Sequence, residues 1–319
     1  MKKLKSVDRY HGALVGLAAG DALGTTLEFR APGSFKPITD MVGGGPFHLE
    51  AGQWTDDTSM ALCLAESLVE RQAFDAEDQM LRYLRWYREG YLSSTGTCFD
   101  IGSTVSAALR RFEGHRDPFA GETSPRNGGN GSLMRLAPVP LAFADHPEEA
   151  IRLSGEMSRT THAAEEPIDA CRYYSGLILG ALAGVSKDAL LQPRYSPVQS
   201  AWQPSSLSPN IDDIAAGSFK HKQPPEIRGA GYVVQALEAA LWAFWKSDDF
   251  ETGALAAVNL GDDADTTGAI YGQLAGAFYG VNAIPIGWRR QLALLERIIQ
   301  LADGLLEYSQ QALDQDDNL

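Results

Sequence analysis

The sequence predicts an all-α protein built as a single domain. Three observations carry this reading. Apolar residues recur at helical spacing through most of the 319 residues. Alternating, β-branched strand patterns are scarce. Glycines also fall every fourth residue in two rows, Gly12, Gly16, Gly20, Gly24 and Gly268, Gly272, Gly276, Gly280, so each row lies on one helix face.

The first glycine row marks the first helix. An interior glycine costs a helix about 1 kcal/mol against alanine, so two such rows predict backbones packed unusually close at the centre of a bundle. The next helix starts at the polar Asp57 and Thr58 and continues through Leu62, Leu64, Ala65, Leu68 and Val69. Met80, Leu81, Leu84 and Tyr87 set a further one, and Val105, Ala108, Leu109 and Phe112 another. Val234, Leu237, Ala240, Leu241 and Phe244 predict a helix ahead of the second glycine row. Leu292, Leu294, Leu295, Ile298, Ile299, Leu301, Leu305 and Leu306 form a closing amphipathic run. Ala31 to Gln53 and Gly121 to Gly131 read as loops, rich in Gly with Pro or Asn. Residues 192–223 carry Pro and Ser without a period and read as a long loop or lid excursion. The acidic tail, 314–319, is expected to be frayed.

Composition narrows the function. Lys and Arg number 27 and Asp and Glu 41, a net charge of −14. Such a field repels phosphate backbones, so nucleic acid is not an expected partner. Cys63, Cys98 and Cys171 are too few and too scattered for a disulfide framework. They suit small buried hydrophobes in a reducing compartment. The basic start at Lys2, Lys3 and Lys5 with the apolar run Ala13 to Ala19 imitates a signal peptide, but Asp8, Arg9 and His11 interrupt it. Gly268 to Trp288 imitates a membrane span, but Gln273, Asn282 and Pro285 suit a buried helix better. A cytoplasmic monomer with no membrane partner is expected.

Two acidic clusters open helices: Trp54-Thr55-Asp56-Asp57-Thr58 and Gly261-Asp262-Asp263-Ala264-Asp265-Thr266-Thr267. Asp21 lies inside the first apolar run, and Glu28 follows it. Asp and Thr are favoured N-caps, but one cap per helix suffices. Crowded carboxylates repel unless a cation neutralises them. Carboxylate and hydroxyl oxygens suit Mg²⁺ or Mn²⁺, whereas zinc would want His or Cys. From these residues alone, capping and metal ligation both stay open.

Three further segments offer substrate contacts. Gly128-Gly129-Asn130-Gly131-Ser132 presents unobstructed backbone N–H groups, or is simply a turn before a helix. Gly102 and Ser103 open a helix that could receive a pyrophosphate. Asp100, just before them, either caps that helix or holds a guanidinium by paired hydrogen bonds. Met134 is a core residue or packs on a sugar or base, and His162 is structural or faces a ligand.

In order, Gly12 to Gly24, Trp54 to Thr58, Gly129-Asn130-Gly131-Ser132-Leu133-Met134-Arg135 and Asp263-Ala264-Asp265-Thr266 resemble the motifs of the ADP-ribosylglycohydrolase family. Gly231 to Glu238 and Ile284 to Trp288 fit as well, so the resemblance runs from residue 12 to about residue 290. It implies an orthogonal multi-helix bundle with a central cleft and two Mg²⁺ or Mn²⁺ ions at its base. By motif, Thr55, Asp56 and Asp57 would ligate one ion and Asp263, Asp265 and Thr266 the other, with Asp265 as the bridge. Asp262 is a spare acid, and Asp21 supports the site from behind.

The resemblance implies catalytic roles for Asp57, Glu28 and Asp100. Asp57 or Glu28 would orient or deprotonate a water, and Asp100 would serve the leaving group. Gly102, Ser103, Gly129, Asn130, Gly131, Ser132, Met134 and His162 would bind the substrate. The implied reaction removes ADP-ribose from a modified protein, arginine-linked in the first instance. Serine or another O-linkage is the alternative, as is an immunity protein that occludes an ADP-ribosylating toxin. Partners would then be the modified protein and a cognate ADP-ribosyltransferase or toxin. A binuclear phosphohydrolase is a rival enzyme, distinguished by releasing phosphate or AMP.

Overall fold

The computed structural model describes residues 6–199, 201–202 and 206–316. Its helices are α1 (Ser6–Gly24), α2 (Asp56–Arg71), α3 (Ala76–Glu89), α4 (Ser103–His115), α5 (Pro138–Ala142), α6 (Pro147–Arg159) and α7 (Glu165–Leu182). They continue with α8 (Lys187–Leu190), α9 (Pro209–Ala215), α10 (Val233–Lys246), α11 (Phe250–Val258), α12 (Ala264–Tyr279), α13 (Ile286–Gln291) and α14 (Leu295–Asp316). Extended pairing among the described residues is limited to isolated bridges. The all-α expectation holds. No described helix is long and apolar enough to cross a membrane.

The two glycine rows meet. Gly12 faces Gly276, Gly16 faces Gly272 and Gly20 faces Gly268, so α1 and α12 run antiparallel. A methyl added at Gly16 would sit 2.3 Å from the Gly272 carbonyl oxygen, and one at Gly20 would sit 2.0 Å from that of Gly268. The helices therefore touch backbone to backbone, and only glycine permits that approach. Every residue from Gly12 to Gly24 in α1 and from Ala264 to Ala277 in α12 is buried. α2, α7, α10, α11 and α14 pack around this pair.

The antiparallel pairing sets the site. The C-terminal end of α1, carrying Asp21, lies beside the N-terminal end of α12, carrying Asp263 and Asp265. Beyond α1 a single 3₁₀ turn, Thr25–Leu27, delivers Glu28 to the same place. Phe29 N donates to the Asp262 carbonyl at 2.7 Å, and Asp262 N donates to that of Arg30 at 2.8 Å. These bonds fasten the Glu28 segment to the entry of α12.

Several expectations need correction. The excursion at residues 192–223 is not all loop, since α9 and a 3₁₀ turn, Ser218–Lys220, lie within it. Pro209 opens α9, as its fixed φ allows, and Ile211, Ile214 and Phe219 are buried. Arg194 ties the segment back through Asp212, at 2.6 and 2.7 Å. Residues 200 and 203–205 of the excursion lie outside the described residues.

The closing run starts late: Leu292 and Leu294 fall in the break between α13 and α14, and the helix begins at Leu295. Between them Ala293 N donates to the Gly52 carbonyl at 2.9 Å and Trp54 Nε1 donates to that of Ala293 at 3.1 Å. The chain gives up helical bonds there to hold the segment before α2. In the acidic tail, 314–316 continue α14, and 317–319 lie outside the described residues. Leu81, expected on an inner face, is 39% exposed. Cys63 and Cys171 are buried as expected, whereas Cys98 is only partly so.

Candidate active site

Neither acidic cluster caps its own helix through the N-cap side chain. Thr55 is the N-cap of α2 and Asp263 that of α12, and neither side chain makes a capping bond. α2 is capped from another helix instead. Asp21 Oδ1 accepts from Thr55 N at 2.9 Å, and Asp21 Oδ2 accepts from Thr58 N at 3.0 Å. Its two oxygens also take the Thr55 and Thr58 hydroxyls, at 2.9 and 2.6 Å. Asp21, expected as a support, is thus the anchor that joins α1 to α2.

The carboxylates converge. Oxygens of Asp21, Asp57 and Asp265 come within 4.8 Å of one another, and so do those of Glu28, Asp100 and Asp265. Asp265 belongs to both groups. Asp57 and Asp265 are essentially inaccessible, and Asp56 and Glu28 are buried. Asp56 and Asp263 lie outside the two groups and line the cleft.

Removing this much charge from water is costly. Burial pushes Glu28 up to about 9, with the charges of Asp100 and Asp263 adding to it. Burial likewise pushes Asp100 up to about 7 and Asp21 to about 6. Asp56, Asp57 and Asp265 stand well above the carboxylate range, by burial first and neighbouring carboxylates second.

These residues suit a cation. Thr55 Oγ1 lies 2.9 Å from Asp21, 3.2 Å from Asp57 and 3.1 Å from Asp265 oxygens. One hydroxyl proton cannot serve three carboxylates. Asp57 Oδ1 and Glu28 Oε2 are buried without a hydrogen-bond partner. All the donors are hard oxygens, the set that Mg²⁺ or Mn²⁺ prefers.

A cleft of about 530 Å³ opens over the cluster. Glu28, Asp56, Asp100, Asp263, Asp265 and Thr266 form its acidic end. Gly102, Ser103, Gly129, Asn130, Gly131, Met134 and His162 line the remainder. Three expected site residues do not reach the cleft surface: Thr55, Asp57 and Ser132. The Ser132 hydroxyl is buried against that of Ser158, at 2.8 Å, so this residue offers the cleft no side chain.

The glycine loop is braced from below. The fully buried Arg135 donates to the Gly131 carbonyl at 2.6 Å and to Thr161 Oγ1 at 2.7 Å. Asn130 Nδ2 donates to Asp263 at 2.8 Å, tying the loop to α12. The Thr161 hydroxyl accepts from Arg135 and pairs with His162 Nδ1, 2.8 Å away. Burial and the Arg135 charge lower His162 to about 3, which keeps the ring neutral. Asp262 faces away and pairs with Arg228 at 3.5 Å, as befits a spare acid.

A profile of the ADP-ribosylglycohydrolase family matches residues 2–314. The chain belongs to the ADP-ribosylglycohydrolase family. It is 44% identical to ADP-ribosylarginine hydrolase Tri1 of Pseudomonas putida (strain GB-1), over 96% of this chain and 80% of that protein. It is 32% identical to the ADP-ribosyl-[dinitrogen reductase] glycohydrolase of Rhodospirillum rubrum, over 94% and 96%. A solved structure described as an ADP-ribosylglycohydrolase-related protein complex superposes with a TM-score of 0.84. It shares 46% identity and covers 95% of this chain and 99% of its own. Membership in this family identifies the bundle as an enzyme scaffold.

Sequence reasoning missed two groups of residues. Phe29 and Phe47 line the cleft beside the acidic end, yet neither belongs to a motif. Thr58 completes the Asp21 anchor, a role that its place in the Trp54 to Thr58 motif did not show.

Proposed function

We propose that this protein hydrolyses the N-glycosidic bond between ADP-ribose and arginine side chains of modified proteins. The observation that carries the proposal is the single cleft joining a shared carboxylate, Asp265, to a braced glycine loop. Kinship with a protein named ADP-ribosylarginine hydrolase supports the arginine linkage.

Thr55, Asp56, Asp57, Asp263, Asp265 and Thr266 would hold two divalent cations, Mg²⁺ or Mn²⁺. When bound, such ions polarise ribose hydroxyls and water. The chain's own groups do the rest. Gly129, Asn130 and Gly131 bring backbone close to the nucleotide side of the substrate, and the neutral ring of His162 lines the cleft beside them. Gly102 and Ser103, at the N-terminus of α4, face the pyrophosphate. With cations bound beside it, Glu28 would be ionised and would take a proton from the attacking water; it suits this role better than Asp57, which does not line the cleft. The water oxygen bonds to the anomeric carbon as the carbon–nitrogen bond breaks through an oxocarbenium-like state. Asp100 holds the leaving guanidine by paired hydrogen bonds, and the guanidine nitrogen takes back the proton that Glu28 received from the water.

The test is release of free ADP-ribose from an ADP-ribosyl-arginine protein, with and without Mg²⁺ or Mn²⁺, for the wild type and Asp265→Ala. Cation-dependent release that disappears in the variant is expected. Cleavage of ADP-ribosyl-serine alone would remove the arginine assignment. Release of AMP would replace the reading with a phosphohydrolase.

A further inference from the structure

Three phenylalanines form a continuous arc at the acidic end of the cleft. Phe29 directly follows Glu28, and Phe99 directly precedes Asp100. Phe47 stands between them, its ring 6.3 Å from Phe29 at 73° and 5.2 Å from Phe99 at 57°. Phe29 and Phe47 line the cleft, and Phe29 is 68% exposed.

The arc is held in place. Phe29 has φ of 60°, the left-handed region that a bulky residue normally avoids. Its N–H bond to the Asp262 carbonyl keeps it there. Phe47 projects from a short turn closed by reciprocal bonds between Gly44 and Leu49, at 2.7 and 2.9 Å. Phe29 is exposed and Phe47 and Phe99 are half-buried, so the arc holds a fixed aromatic surface beside two carboxylates. Strain of this kind persists where the surroundings enforce it, often at ligand-binding positions.

We propose that the Phe29–Phe47–Phe99 arc, with Glu28 and Asp100, is the subsite for the guanidinium and aliphatic stem of the target arginine. This rests on the arginine reading above. A guanidinium is planar, weakly hydrated and cationic, so it stacks on aromatic faces and hydrogen-bonds carboxylates at once. The arc presents faces and edges, and its flanking residues carry the acids. The glycine loop and His162 line the rest of the cleft and are left to the nucleotide. An O-linked serine offers neither a flat cation nor a long stem. The arc therefore discriminates between linkages.

The experiment compares Phe47→Leu and Phe47→Tyr with the wild type. Two quantities are read on metal-loaded protein: kcat and KM for an ADP-ribosyl-arginine peptide, and the affinity of agmatine for enzyme saturated with ADP-ribose. Phe47→Leu should raise KM about tenfold and weaken agmatine to a similar extent, consistent with a stacking contribution of this class. Phe47→Tyr should restore both. The affinity for free ADP-ribose should not change.

Equal behaviour of the Leu and Tyr variants would overturn the proposal. Weakened ADP-ribose binding would also overturn it, by assigning the arc to the nucleotide. If the wild type does not cleave the arginine linkage but binds agmatine in a Phe47-dependent way, the catalytic reading falls and the subsite stands. If it neither cleaves nor binds agmatine, both fall.

Discussion

Asp21 receives both the backbone N–H and the hydroxyl of Thr58, at 3.0 and 2.6 Å, across the boundary between α1 and α2. A buried carboxylate of one helix thereby supplies the N-terminal cap of the next. The same carboxylate also takes both donors of Thr55. Asp21→Ala should remove a cap and leave buried donors unpaired. Each of these effects is worth about 1–2 kcal/mol, so a loss of roughly 3 kcal/mol is expected in denaturant melts. Asp21→Asn keeps one acceptor and should lose less.

The glycine seam gives a contrast between two single methyl groups. Gly16→Ala drives a methyl into the Gly272 carbonyl, 2.3 Å away, and neither helix backbone can yield. A loss of about 3 kcal/mol or more is expected. Gly114 in α4 has open space where its Cβ would lie, so Gly114→Ala should gain about 0.5 kcal/mol through helix propensity. Thermal melts of the two variants, moving in opposite directions, check the argument.

Metal-free protein should lose stability as pH rises. Glu28 is raised from 4.5 to about 9 and Asp100 from 3.8 to about 7. A group raised on folding contributes fully below its unfolded value, and that contribution is lost as pH climbs through the folded value. The Tm in chelator should therefore fall between about pH 4 and 9. Excess Mg²⁺ or Mn²⁺ should flatten the fall, because a cation stabilises the ionised carboxylates. A Tm independent of both pH and cation would contradict the cluster's assignment as a cation site.

His162 should not titrate in the usual histidine range. Its ring is lowered from 6.5 to about 3, so its imidazole NMR signals should hold their neutral positions from pH 8 to pH 5. His162 also contributes stability above pH 6.5 that is lost as pH falls towards 3. His162→Gln should shrink the acid-side loss seen in melts at low pH.

Much of this was legible in the sequence because it depends on local spacing. A four-residue glycine period can only be one helix face, and two such faces have few partners but each other. The acidic clusters were visible as residues, but their division of labour was not. Asp21 sits 34 positions before Thr55, and nothing local to either residue shows that one caps the other's helix. The break at Leu292–Leu294 was hidden for the same reason, since Gly52 and Trp54 cause it from far along the chain. α9 escaped notice because seven residues that begin with a proline give too little period to read. The aromatic arc is assembled from three separate loops, so no window of sequence contains it.

The backbone contact between α1 and α12 also fixes a length. Helices that meet through side chains can slide by an ångström when a methyl is gained or lost. These two cannot, because carbonyl meets α-carbon along the whole seam. The spacing between Asp21 and Asp265 is thus insulated from drift in the surrounding core. A change of side chain on an outer helix reaches this distance only if it moves the seam itself.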